Sequence, residues 1–170
     1  LQNGIINYQH LETLLKSSKK TLVTLMHIDN EIGTILDIQK VADLCKSNAA
    51  LFHSDSVQSV GHYHLDLQTT PVDFLAASAH KFHGPKGIGF VYIRKNSGLK
   101  ALIIGGTQER GIRAGTESIH DIVGLDEALN LSYQNLEKDN SYIMDLKSYF
   151  ISQLDINIPG VKFNGACSDF

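Results

Sequence analysis

Cysteine is scarce in this sequence. Cys45 and Cys167 are its only two cysteines, far apart and outside any Cys-x-x-Cys pair. Disulfide-stapled secreted domains and zinc knuckles both need several closely spaced cysteines. The sequence therefore indicates neither a disulfide framework nor a zinc knuckle, and a reducing, cytoplasmic compartment is the default expectation.

Long apolar runs and an excess of basic residues are also missing. No stretch approaches the about 20 apolar residues of a membrane-spanning helix, and the net charge of −3 argues against a general nucleic-acid binder. The first residues lack the basic and apolar regions of a signal peptide, and the absence of an initiator Met suggests that the chain starts inside a longer protein. The hydrophobic share of 42% is typical of a globular protein with a real core.

Helical and strand-like patterns alternate along the chain. Helices are predicted at 8–17, after an N-cap at Asp37, and from Ile119 onward, and strands at 21–28, 49–53, 72–77 and 88–93. The segment 57–67 is harder to interpret, because its histidines alternate with other residues as on an exposed strand. The last helix is predicted to bury an apolar stripe formed by Ile122, Val123, Leu125, Leu129, Leu136, Ile143, Leu146 and Phe150.

Strands that alternate with helices imply parallel pairing and right-handed crossovers. In such α/β sheets, ligands bind outside the carboxyl ends of the strands. The residues that follow three of the predicted strands are Asn30, Asp55, Gln58, Ser78, His80 and Lys81. One carboxylate, two amides, a hydroxyl, an imidazole and an amine are therefore expected at one edge of the sheet.

Lys81 lies between two predicted buried segments, at a turn formed by Gly84, Pro85 and Gly87. A lysine in such a place is seldom buried without a partner. Its amine could condense with an aldehyde to form a Schiff base, or the side chain could simply point outward from the turn. The residues of this stretch leave both interpretations open.

The loop at 102–116 contains glycines, Arg110, Arg113 and two threonines. Backbone amides and guanidinium groups in such a loop suit anion binding. The Gly-Lys-Ser/Thr of a phosphate-binding loop and the third glycine of a dinucleotide fingerprint are both missing. An ordinary surface loop with solvated charges is the alternative.

Four ordered motifs carry a resemblance to a known family. They are Met-His-Ile-Asp-Asn-Glu-Ile-Gly at 26–33, His-Ser-Asp-Ser-Val-Gln-Ser at 53–59, Ser-Ala-His-Lys at 78–81 and Gln-Glu-Arg-Gly-Ile-Arg-Ala-Gly-Thr-Glu at 108–117. The chain resembles the cysteine desulfurases, pyridoxal-phosphate (PLP) enzymes of the class V aminotransferase fold. Its last motif is similar to the housekeeping and nitrogen-fixation branch.

The resemblance implies a fold and a domain organisation. The expected class is α/β, a fold-type I PLP-dependent transferase whose mostly parallel sheet carries helices on both faces. Residues 1–135 would be the C-terminal part of the PLP-binding large domain. Residues 136–170 would be a linking helix and the start of the small domain.

The resemblance also gives roles to the motif residues. Lys81 would hold PLP as a Schiff base and then shuttle a proton, with His80 as its catalytic neighbour. Asp55 would pair with the pyridinium nitrogen, and Gln58 would bond the phenolic oxygen. The other expected cofactor residues are Asn30 near the substrate carboxylate, Ser78 and His80 on the phosphate, and Thr116 on the phosphate of the partner subunit in a homodimer.

The implied reaction converts L-cysteine to L-alanine and passes the sulfur to an enzyme cysteine as a persulfide, which supplies an iron–sulfur scaffold or another sulfur acceptor. The family's persulfide-forming cysteine lies beyond this chain. The neighbours of Cys167 match the start of the small domain, and Cys45 sits on a predicted helix stripe as a small core residue. This chain alone is therefore expected to be inactive.

Three alternatives remain. Another enzyme of the same fold, such as a selenocysteine lyase or an aminotransferase, would share the motifs. A non-catalytic dimerising scaffold would not need Lys81, Asp55, Gln58 and His80. A metal site built from His53, Asp55, His62 and His64 would lack a recognised ligand spacing. No membrane or nucleic-acid partner is expected.

Overall fold

The computed structural model describes residues 4–17 and 19–165. Two 3₁₀ turns, at Ala79–Phe82 and Glu109–Gly111, accompany the regular elements. In chain order the helices and strands are α1 (Tyr8–Leu15), β1 (Leu22–Met26), α2 (Ile38–Ser47), β2 (Leu51–Asp55), β3 (Phe74–Ser78), β4 (Gly89–Ile93) and α3 (Ile119–Asn157). All seven elements coincide with predicted segments, with ends shifted by a few residues.

The four strands form one sheet in the order β1-β2-β3-β4. The pairs β1–β2 and β2–β3 are parallel, whereas β4 runs antiparallel to β3. A parallel neighbour needs a long crossover, but an antiparallel one can follow a short return. The segment 79–88 makes that return. The prediction of a mostly parallel sheet is confirmed.

Side-chain caps explain where the first two helices begin. The Asn7 carboxamide oxygen accepts a hydrogen bond from the His10 amide at 3.0 Å, and the Asp37 carboxylate accepts one from the Lys40 amide at 3.0 Å. Each cap satisfies an amide that lacks a partner in the first helical turn. The predicted N-cap at Asp37 is confirmed.

The core lies on one face of the sheet. Side chains alternate between faces along a strand, and on β2 Phe52 and Ser54 are fully buried while Asp55 is only half-buried. Phe52 packs in a cluster with Val41 and Cys45 of α2. The opposite face carries Asp55, which the register places beside Met26 and Ala76.

The segment 57–67, which the sequence left open, does not form the exposed strand that its alternating histidines resemble. The chain forms consecutive turns there: the Val60 amide donates to Ser56 O and the Tyr63 amide donates to Ser59 O, each within five residues. These local bonds satisfy the backbone groups that a strand would present to a neighbour. His62 is half-buried, while His64 is exposed.

The predicted buried stripe of α3 is largely wrong. Leu136 is buried, and Leu125 and Leu129 pack against the core, but Val123 and Phe150 are 62% and 63% exposed. A helix of 39 residues is about 58 Å long, whereas a strand of five residues spans about 17 Å. The helix is thus much longer than the strands that could cover it, and its predicted stripe residues after Leu136, namely Ile143, Leu146 and Phe150, are exposed. No helix in the described residues is both long and apolar enough to cross a membrane.

The Cys45 thiol is predicted to be unreactive in the folded chain. Cys45 is 1% exposed, and burial together with the charge of Asp73 raises its pKa to about 11. Since the thiolate is the reactive form, alkylation near pH 8 should be at least about 100-fold slower than for a free cysteine. Iodoacetamide labelling of a Cys167→Ser variant, folded and then in denaturant, measures this. Equal rates in both states would contradict the buried thiol.

His27 is predicted to make the fold sensitive to acid. It is 6% exposed, its Nδ1 atom has no hydrogen-bond partner in the described residues, and burial lowers its pKa. Below about pH 6.5 the unfolded chain binds a proton that the folded chain resists, so the free energy of unfolding should fall as the pH falls. Urea titrations at about pH 7.5 and about pH 5.5 should show a smaller loss for His27→Leu than for the parent.

The control for this experiment is His64→Leu, which removes an exposed histidine. Its loss of stability between the two pH values should match the parent. An unchanged loss in His27→Leu would mean that another group carries the acid sensitivity.

Candidate functional site

The carboxyl ends of β1, β2 and β3 meet at one edge of the sheet, as predicted. The register aligns Met26, Asp55 and Ala76, and the His27 amide donates a 2.8 Å hydrogen bond to Asp55 O. Ser78 follows Ala76 by two residues, so both point to the face that carries Asp55. A carboxylate and a hydroxyl on neighbouring strands therefore border the same space.

Ser78 and His80 form a pair at the end of β3. The Ser78 hydroxyl and the His80 Nδ1 atom are 2.9 Å apart. Ser78 occupies the N-cap position of the following 3₁₀ turn without capping it, and His80 is exposed. The hydrogen bond between them uses one hydrogen of the neutral pair and leaves the other, on the hydroxyl or on Nε2, free to donate to an anion. The structure thus brings the two predicted phosphate residues together.

Lys81 lies in the same 3₁₀ turn and is half-buried. Its backbone carbonyl accepts a 2.8 Å hydrogen bond from His62 Nε2, and the next residue, Phe82, is fully buried. Within residues 4–17 and 19–165, no side chain pairs with the Lys81 amine. The backbone of this lysine is therefore held at two points while its amine stays available.

Asp55 ends β2 with a local hydrogen bond. Its Oδ1 atom accepts from the Val57 amide at 3.0 Å, the bond expected of a turn-forming aspartate. Gln58 lies in the same turn and is half-buried. No described residue bonds the second carboxylate oxygen of Asp55, so that oxygen can accept from a ligand.

The turn after β1 holds Asn30. Asn30 is exposed, and its amide donates to the Glu31 carboxylate at 3.0 Å. The turn itself depends on Asp29, whose carboxylate accepts from the Glu31 and Ile32 amides at 2.9 Å each. These two bonds hold the pKa of Asp29 below its usual range. The sequence predicts that Asp29, Asn30, Glu31 and Gly33 end the first strand, and the structure adds that the Asp29 carboxylate holds this turn.

The loop that contains Thr116 is braced from within. Arg113 pairs with Glu109 at 3.1 Å and donates to Gly115 O at 2.9 Å. Glu109 and Arg110 both adopt left-handed backbone angles, with φ of 49° and 57°, which are unfavourable outside glycine. Among the described residues Thr116 is exposed and makes no hydrogen bond to Ser78, His80 or Lys81.

The alternative metal site is not assembled. His62 Nε2 bonds the Lys81 carbonyl, and His53 Nδ1 lies 2.7 Å from the Thr24 hydroxyl on the open face of the sheet. In the part of the chain that the structure describes, no three His, Cys, Asp or Glu side chains are grouped to hold a metal ion.

Cys45 does not contribute a thiol to this edge. Cys45 is buried in the core on α2, which confirms its predicted place as a small core residue. Cys167 lies outside the described residues. A sulfur nucleophile is therefore not part of the site as described.

Comparisons with known proteins agree with this arrangement. The cysteine desulfurase IscS of Clostridium botulinum is 39% identical over 164 residues, which cover 96% of this chain and 41% of that protein. The chain therefore spans less than half the length of this curated relative. A NifS-like protein of known structure is 38% identical with a TM-score of 0.85, over 89% of this chain and 42% of the other.

A NifS-like protein from Rickettsia africae is 29% identical with a TM-score of 0.88, over 96% of this chain and 48% of the other. These structural neighbours confirm the predicted fold-type I architecture, of which the sheet described here is a part. The sequence family described as "Aminotransferase class-V" matches residues 1–169. The chain belongs to the class-V aminotransferase family.

Proposed function

We propose that this chain is the central, cofactor-holding part of a PLP-dependent cysteine desulfurase. The observation that carries the proposal is the Ser78–His80 pair in the same turn as Lys81, whose amine no described side chain pairs with, at a strand edge shared with Asp55. The curated relative named as a cysteine desulfurase matches nearly the whole chain. The proposed reaction converts L-cysteine to L-alanine and leaves the sulfur on an enzyme cysteine as a persulfide.

The residues at the sheet edge fit the chemical groups of PLP. The Ser78–His80 pair would hold the phosphate, and the amine of the half-buried residue Lys81 would hold the aldehyde carbon covalently. The free oxygen of Asp55 would face the ring nitrogen, where a carboxylate favours the protonated form. When bound, PLP supplies an electron sink for charge that develops on the substrate.

The remaining predicted residues would act around this centre. We assign Gln58 to the phenolic oxygen and Asn30 to the side where the substrate carboxylate binds. Lys81 and His80 lie in the same 3₁₀ turn, so the lysine amine that would move a proton and the imidazole that would hold the phosphate are carried by one short segment. Thr116, exposed on its braced loop, would reach the phosphate held by a partner subunit.

The sulfur-accepting cysteine is assigned to another part of the whole protein. Cys45 is unsuited because its thiol is buried and its pKa is raised to about 11. This chain covers 41% of the curated relative's length, which leaves room for a cysteine elsewhere in the whole protein. An arginine that would bind the substrate carboxylate is likewise proposed to lie outside this chain.

The proposed assembly is a cytoplasmic homodimer that delivers sulfur to an iron–sulfur scaffold or another acceptor protein. The proposed domain division places residues 1–135 in the large domain and 136–170 at the start of the small domain. The helix α3, Ile119–Asn157, crosses this boundary without interruption. A continuous helix would serve as the link between the two domains.

Lys81 is predicted to be the residue that PLP modifies. After incubation with PLP and reduction with borohydride, peptide mapping by mass spectrometry should find the stable adduct on Lys81. The adduct should disappear in Lys81→Ala and weaken about tenfold in Asp55→Ala, because a removed charge partner is expected to cost about 1–2 kcal/mol. Lys86→Ala, which removes an exposed lysine of the same loop, should leave the Lys81 adduct unchanged.

Labelling spread over several lysines at similar levels would overturn the proposed cofactor site in this chain. The activity itself is tested in a longer protein that contains this chain. Alanine formed from L-cysteine, and absent in Lys81→Ala, would support a desulfurase. Release of selenium from selenocysteine alone, or transfer of an amino group, would favour another enzyme of the same fold.

A further inference from the structure

The lysine turn, defined here as residues 79–85, packs against a turn that lies earlier in the chain, residues 56–63. The two turns are joined by the hydrogen bond from His62 Nε2 to Lys81 O at 2.8 Å. A carbonyl oxygen can only accept, so the imidazole must carry its hydrogen on Nε2. We propose that His62 is a positioning residue for Lys81, a role that rests on the proposed use of Lys81 to hold the cofactor.

The helix α3 supports the same contact from the other side. Asn140 donates from its side-chain amide to His62 O at 3.1 Å, and the Ser132 hydroxyl donates to Phe82 O at 3.4 Å. Ser132 and Asn140 are about 12 Å apart along the helix axis. The helix thus binds the histidine and the residue after the lysine at two separate points.

Close backbone packing fixes the distance that His62 must reach. Gly61 has a φ of +82°, and a Cβ atom at this position would lie 2.6 Å from Phe82 Cβ. Within the lysine turn itself, a Cβ on Gly84 would lie 2.9 Å from Ala79 Cβ. The close approach of Gly61 to Phe82 holds the two turns together next to His62, where the imidazole meets the Lys81 carbonyl.

The hydrogen bond from His62 to the Lys81 carbonyl also influences where the Lys81 amine lies. The hydrogen bond fixes the orientation of the peptide plane between Lys81 and Phe82, and the burial of Phe82 fixes the position of that residue. Together they set the direction in which the Lys81 side chain leaves the backbone. Because the lysine stem is flexible, a defined starting direction raises the fraction of time that its amine spends near a bound aldehyde.

Loss of the donor has two expected effects. The part-buried Lys81 carbonyl would lack its partner, which destabilises the turn. The lysine would also be less well aimed, and misplacement of a reacting group by about 1 Å can cost up to about 100-fold in rate. The second effect is specific to a positioning role.

The test compares two amide substitutions that differ only in reach. In His62→Gln the side-chain amide lies about where Nε2 lies, so it can still donate to Lys81 O, while in His62→Asn it is one methylene too short. Each variant is incubated with PLP and reduced, and the adduct on Lys81 is measured relative to the adduct on exposed Lys86 by mass spectrometry. Thermal unfolding is recorded for the same samples, and His64→Asn is the matched control on an exposed histidine.

The proposal predicts that His62→Asn lowers the Lys81-to-Lys86 ratio about tenfold, that His62→Gln restores most of it, and that His64→Asn leaves it unchanged. The proposal is overturned if His62→Asn keeps the parent's adduct ratio. It is also overturned if both His62 variants lower the adduct ratio and lower the unfolding temperature by the same amount. Should His62→Asn not fold, a parent-like ratio in His62→Gln together with a loss in Asn140→Ala would support the contact, and any other result would overturn it.

The adduct ratio of the unsubstituted parent chain distinguishes failure of the proposed cofactor site from failure of the proposed His62 role. If the parent shows no preference for Lys81, the proposed cofactor site fails, and the positioning role fails with it. If the parent prefers Lys81 and His62→Asn does too, only the role of His62 is overturned.

Discussion

The short return between β3 and β4 is the constraint on which the candidate site depends. The chain leaves the sheet at Ser78 and re-enters it at Gly89, and the Ala79 amide closes the return on Ile88 O at 3.0 Å. A Cβ on Gly89 would lie 2.3 Å from Ala77 O, so only glycine allows this approach. The return keeps Ser78, His80 and Lys81 within one tight turn at the sheet edge.

Local signals predicted the parts of the fold that local interactions decide. The cap at Asp37 depends on a bond to the amide three residues later, and such a bond can be read from residue types alone. The Ser78–His80 pair was predictable for the same reason, since the two residues flank one strand end. Strand edges converged as expected because parallel pairing requires it.

Residue patterns alone did not decide the structure of the segment 57–67 or the burial of α3. The alternation around His62 and His64 is compatible with a strand, but no described strand pairs with it, and local turns satisfy its backbone. The apolar stripe on α3 is real as a pattern, yet burial depends on what packs against each turn of the helix. Leu136 is buried and Phe150 is not, although both occupy the predicted stripe.

The position of Asp55 shows how a structural role and a chemical role can share one side chain. Its Oδ1 atom accepts from the Val57 amide and thereby shapes the turn that carries Gln58. A carboxylate has two oxygens, and the hydrogen bond that fixes one of them also fixes the direction of the other. The turn-forming role of this aspartate and its proposed cofactor role are therefore compatible, because the bond that forms the turn uses one oxygen and orients the other.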